Sequence, residues 1–102
     1  MKTVFKLHDR FGAFLSDGSS ANVFRFTEVE PAIASGGSVV LDFEGVTNMT
    51  DSFGNALIGG LIQNHPELLK SGLEFKSCDP LMRTLVSLAI GVAEMISRKQ
   101  VA

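Results

Sequence analysis

Apolar and polar residues alternate from Thr3 to His8, with Thr3, Phe5 and Leu7 on one side and Val4, Lys6 and His8 on the other, which predicts a strand. Gly12 to Leu15 reads as a second short strand that closes a hairpin around Asp9-Arg10. Asp17-Gly18-Ser19-Ser20 reads as a turn rich in helix N-cap residues. Beyond it Val23, Phe26, Val29 or Glu30, and Ile33 fall near helical spacing, and Gly36-Gly37 supplies a stop. Pro31 lacks a backbone donor and crowds the carbonyl of Thr27, so a kinked helix over 20–35 is expected. A strand over 22–27 followed by a short helix from Pro31 is the competing reading.

Ser38 to Phe43 stays apolar on both sides until Asp42, the pattern of a central strand covered on two faces. Asp51-Ser52 opens a helix with Phe53, Ala56, Leu57, Gly60 and Leu61 on one stripe. It ends at Asn64-His65-Pro66, because the residue before a proline disfavours helical geometry. After a turn over 67–70, Leu73 to Cys78 reads as a strand. Asp79 is a natural N-cap and Pro80 suits the first position of a long last helix that reaches about Arg98. The order β-β-α-β-α-β-α predicts an α/β fold, one domain over 1–102, with a mostly parallel four-stranded sheet and helices packed on it.

The composition fits that picture. Of 102 residues, 45% are hydrophobic and 20% charged, with mean hydropathy +0.25, which excludes a disordered chain and is slightly apolar for a small monomer. A net charge of −2 argues against a nucleic-acid partner, which usually meets a basic face. The N-terminus shows no signal-peptide core, and the longest apolar run, Ala56 to Ile62, falls far short of the ~20 residues of a membrane span. A cytoplasmic protein without membrane contact is expected. The single cysteine, Cys78, forms no internal disulfide.

Carboxylates gather where the strands end, with Asp42 to Asp51 after one strand and Asp79 after another, the edge where ligands collect in open α/β sheets. One reading of that acidic edge is a ligand- or nucleotide-binding site; the plainer one has Asp42 accepting backbone N–H groups around Val46 to Asn48. His8, His65 and Cys78 have no metal-ligand spacing, and neither a lysine-bearing glycine loop nor a Gly-x-Ser-x-Gly elbow is present. No enzyme activity, metal or cofactor is expected. Thr50 and Ser52 sit at the start of the helix that Asp51 enters, where a phosphate would meet free backbone N–H groups.

On a wheel of ~100° per residue, Leu81, Leu85, Leu88, Val92 and Ile96 form the expected core stripe of the last helix. Met82, Val86, Ala89, Ile90 and Ala93 widen the apolar arc to roughly 220°, more than one sheet face needs. Those five are therefore candidates for an interface with a partner protein or with a second copy of the chain.

Val39-Val40-Leu41-Asp42-Phe43-Glu44-Gly45-Val46, followed by Asp51-Ser52-Phe53-Gly54-Asn55, resembles the signature of STAS-like domains, closest to their small stand-alone branch. It is more distantly similar to the anti-sigma-factor antagonists of the same superfamily. The resemblance implies a non-catalytic regulatory module that works by protein contact, with a kinase-like ATPase or an anti-sigma factor as partner. It places the contact on the loop and helix start, with Asp42, Glu44, Asp51, Phe53 and Asn55 as candidates. The antagonists carry Asp-Ser-Ser-Gly with the second serine phosphorylated; here Phe53 holds that position, which leaves Ser52, or Thr50, as the candidate for modification.

Overall fold

In a computed structural model that describes residues 1–101, with side chains through Ile96, short β-rich runs alternate with helices along the whole chain. Strand β1 (Lys2–Lys6) leads into a short helix α1 (Leu7–Phe11) and strand β2 (Phe14–Leu15). Helix α2 spans 18–34, followed by β3 (Ser38–Asp42) and β4 (Asn48–Met49). Helix α3 spans 51–64, then a 3-10 turn (Pro66–Leu69) leads to β5 (Leu73–Lys76) and α4 (Pro80–Val101).

The main sheet has three parallel strands in the order β1-β3-β5, with Phe5 opposite Leu41 and Leu41 opposite Phe75. The second strand does not form a hairpin with the first. Leu7–Phe11 coils into a helix that lets both Leu7 and Phe11 reach the core, and Gly12, at φ +81°, turns the chain out of it. β2 then pairs in parallel with β4 as a separate two-stranded sheet, so a parallel α/β architecture stands but a four-stranded sheet does not.

Strand order that follows chain order puts all helices on one face when every crossover has the usual right hand. Phe5, Val39, Leu41 and Phe43 accordingly join the helices in one core, with Leu73 and Phe75 packed against it. Lys2, Val4, Lys6, Glu74 and Lys76 are exposed on the opposite face. The central strand is therefore not covered by helices on both sides; its Val40 is buried in register between Val4 and Glu74 but lies outside the core cluster.

The segment over 20–35 is helical, and Pro31 is accommodated by a widened turn just before it. Arg25–Val29 forms a π turn in the middle of α2, which loosens the ladder where Pro31 would crowd Thr27. A second π turn, Asn55–Gly59, lies in the middle of α3. Arg25 links the two. Its Nε donates to the Ala56 carbonyl at 2.9 Å, one guanidinium nitrogen pairs with Glu30, and the other donates to Asn22 Oδ1 at 3.0 Å. Glu30 in turn accepts from Asn64 at 3.2 Å and faces His65 Nε2 at 3.4 Å, so His65 is a half-buried member of this network. Gly60 makes the contact possible, since a Cβ there would lie 2.5 Å from Arg25 Nε.

Four phenylalanines extend the same joint. Phe5 packs edge-on against Phe24, Phe24 against Phe11, and Phe11 against Phe53, with centroids 5.3, 5.4 and 5.1 Å apart. These rings tie β1, α1, α2 and α3 together, and the guanidinium of Arg10 lies 5.0 Å from the Phe24 centroid.

Because Arg25 is largely buried and serves three acceptors, its loss leaves Glu30 without its guanidinium partner and the Ala56 carbonyl without this donor. Arg25→Ala is expected to lower stability by about 2 kcal/mol, roughly 10 °C in Tm for a domain of this size. Gly60→Ala is expected to destabilise in the same direction by displacing the guanidinium. Thermal and urea unfolding check both, and an unchanged midpoint for either variant would contradict the role given to this joint.

Candidate functional site

The residues singled out around the strand–loop–helix segment separate into those that build the loop and those that remain available. Asp42 ends β3 and is 2% exposed, and its Oδ1 accepts from the Glu44 N–H at 2.9 Å. Asp42 thus organises the start of the loop, a carboxylate closing the turn in place of a backbone carbonyl, and the N–H it takes is that of Glu44, not one of those expected around Val46 to Asn48. Glu44 itself is exposed. Thr50 is the N-cap of α3; its Oγ1 accepts from the Phe53 N–H at 3.2 Å and donates to the Ser16 carbonyl at 3.0 Å. The hydroxyl is thus committed in both directions.

Asp51, Ser52 and Asn55 are exposed on the first turns of α3. Phe53 is not: it is 1% exposed and packs on Phe11, so it belongs to the core and cannot meet a partner. Gly18, at the start of α2, lies close to Ser52, where an added Cβ would come within 3.1 Å of the Ser52 carbonyl. The N-termini of α2 and α3 therefore converge beside Ser52. Asp17 caps α2 by accepting from the Ser19 N–H at 2.9 Å and the Ser20 hydroxyl at 2.8 Å. The Ser20 hydroxyl and then the Ser19 and Ser20 N–H groups hold the Asp17 carboxyl below its ordinary value.

The third carboxylate of the supposed acidic edge is also occupied. Asp79 caps α4, accepting from the Met82 N–H at 2.8 Å. Among the described residues, no three His, Cys, Asp or Glu side chains are grouped to hold a metal ion. Cys78 is half-buried beside this cap. Burial pushes its thiol up; Arg83 opposes that, and Asp79 and Asp42 add to it.

The last helix presents its two apolar stripes the other way round from the sequence expectation. Met82, Val86, Ala89 and Ala93 are buried in the core, and Ile90 is half-buried against it, so these five are not a free surface. Leu81, Leu88, Val92 and Met95 are 42–59% exposed, with Leu85 and Ile96 half-buried. The reason is close helix packing. Gly54 of α3 faces the methyl of Ala89, a Cβ on it would be 3.6 Å away, and only the small-residue stripe admits that approach.

The exposed stripe was missed as a site because bulk alone suggested it was core. It forms one wall of a groove of about 210 Å³ between α3 and α4, lined by Thr50, Asp51 and Asn55 on one side and Leu85, Leu88 and Val92 on the other. The arrangement offers an apolar trough with an exposed polar rim. Among the described residues, no helix is long and apolar enough to cross a membrane.

A family model described as a STAS-like domain of unknown function matches residues 11–81, which run from the last residue of α1 through β5 to the start of α4 and include α2, α3 and the whole loop after β3. No curated protein and no solved structure matches the chain.

Two measurements follow from the local chemistry. Thr50→Ala is expected to cost about 1 kcal/mol as a lost N-cap, whereas Ser52→Ala stays within about 0.5 kcal/mol; equal effects in chemical denaturation would overturn the distinction. For Cys78, the fold favours the neutral thiol, so its stabilisation holds below the ordinary thiol pKa and is lost as pH rises through the raised one. Alkylation near pH 8, followed by mass spectrometry, should therefore be slower in the native chain than in the urea-unfolded chain. The gap should narrow at higher pH, and equal rates would contradict the shift.

Proposed function

The chain belongs to the STAS-like domain family that its residues 11–81 match, and we propose that it is a non-catalytic regulatory module that presents the loop after β3 and the first turns of α3 to a protein partner. The observation that carries this reading is the exposed trio Asp51, Ser52 and Asn55 on a capped helix start, with Asp51 and Asn55 at the rim of an apolar groove. A rigid polar rim around an apolar trough suits recognition of another protein better than chemistry on a small molecule. The resemblance to anti-sigma-factor antagonists supports a kinase-like ATPase or an anti-sigma factor as the class of partner, met in the cytoplasm.

Ser52 is the phosphoacceptor in this proposal. What favours it over Thr50 is its exposure and the engagement of the Thr50 hydroxyl in the cap. Phe53, which stands where the antagonists carry their modified serine, is buried. A phosphate on Ser52 would add about −1.5 to −2 charge at pH 7 beside Asp51, enough to weaken contact with an acidic surface or to recruit an arginine.

The test uses the full chain as bait in the native cell, with Ser52→Ala, Ser52→Asp and Asn55→Arg beside it. The partner that mass spectrometry identifies is then purified and titrated by calorimetry. Ser52→Asp is expected to change its affinity by roughly tenfold, about 1.4 kcal/mol, Ser52→Ala to leave it near the parent value, and Asn55→Arg to weaken it. Affinity that is equal across all four chains of unchanged helicity would remove both the surface and the switch.

A further inference from the structure

The exposed stripe of α4 has a spacing that selects its occupant. Leu81, Leu85, Leu88, Val92 and Met95 follow one another at intervals of four, three, four and three residues, the 3.5-residue seam of a helix that packs along another helix. At 3.6 residues per turn the five lie within about 80° of arc, roughly 110° from the core-facing Met82, Val86, Ala89 and Ala93. This helix therefore has two seams, one satisfied within the domain and one left 42–59% exposed at four of its five positions.

We propose that this outer seam pairs with the same seam of a second copy, α4 against α4, about a two-fold axis at Leu88. Three observations point to a copy of this chain. The seam is self-complementary: a two-fold rotation at Leu88 sets Leu81 against the second copy's Met95 and Leu88 against its Leu88, and brings Leu85 within one residue of its Val92, so each position meets or lies beside another apolar one. It is free of charge, since Arg83 and Glu94, the charged residues between 81 and 96, fall about 140–160° from its centre. Nothing on it repels a like copy or calls for an opposite sign, and the net charge of −2 adds little repulsion. The flanking Thr84 and Gly91 are uncharged and exposed, with open space at Gly91, and the α3–α4 groove beside the seam gives the second helix a trough to lie along.

The contact runs from Leu81 to Met95, about 21 Å at 1.5 Å per residue. A single helix pair of that length lies at the low end of specific interfaces, which average about 800 Å² per partner. The dimer is therefore weak and concentration-dependent.

Sedimentation velocity and light scattering across a concentration series test it directly. The expected result is a mass that climbs toward twice the monomer in the parent chain, while Leu88→Glu and Val92→Glu remain monomeric with unchanged helicity and melting temperature. A Leu88→Cys chain carrying Cys78→Ser should also form a disulfide-linked dimer under mild oxidation, in preference to a Ser87→Cys control. A parent chain that stays monomeric at every attainable concentration overturns the proposal and leaves the seam to a different protein. A dimer that persists in both glutamate variants overturns it as well. Ser52 and its partner are tested by the separate titration, in which Leu88 and Val92 are unchanged.

Discussion

Three parallel strands taken in chain order, joined by crossovers of one hand, leave the helices a single side of the sheet to occupy. Much of the molecule follows from that constraint. Successive helices become neighbours in one layer, so α2 must pack on α3 and α3 on α4. The opposite sheet face is left to lysine, glutamate and valine, which explains why β3 carries Asp42 on a strand that otherwise reads as wholly interior. The carboxylate is acceptable there because it points away from the core and is claimed by the Glu44 N–H.

A one-sided helix layer makes helix–helix contact the main structural problem, and two devices address it. Between α2 and α3 it is electrostatic and aromatic: Arg25 spans both π turns over Gly60, and the phenylalanine chain continues the joint to β1. A π turn widens the helix and disturbs its ladder, and here the guanidinium supplies a donor to a carbonyl inside that turn. Between α3 and α4 the device is steric, with Gly54 and Ala89 removing bulk so that the two helices come close.

Local signals were legible wherever one residue type decides the outcome. Asp79 with Pro80 marked the start of α4, Pro66 the end of α3, and Gly36-Gly37 the end of α2, because caps and breakers act within a turn of themselves. The strand–loop–helix segment was legible as a family resemblance, and Asp42 as an acceptor in its loop, but the N–H it takes is the nearer one of Glu44. The link from Arg25 to Ala56, the contact of Glu30 with Asn64 and the separate β2–β4 pair were not, since each joins residues 30 or more apart. Arg25 carried one faint signal: a charged residue within the helical stretch over 20–35, facing a second helix unusually rich in glycine.

The inversion of α4 shows where wheel reasoning breaks down. A wheel ranks stripes by bulk and hydrophobicity, and on that ranking Leu81, Leu85, Leu88 and Val92 belong inside. Packing ranks them by fit. Against a neighbour that presents Gly54, the stripe that closes without a void or a clash is the one carrying Ala89 and Ala93, with Met82 and Val86 filling the wider ends. Turning α4 by about 100° to bury the leucines would force those side chains against Gly54 and the Met49 side chain and push the helices apart. The larger stripe is therefore displaced outward by the smaller one's better fit. The chain's slight excess of apolar residues, visible in composition alone, thus comes to lie beside Asp51 and Asn55 at the groove.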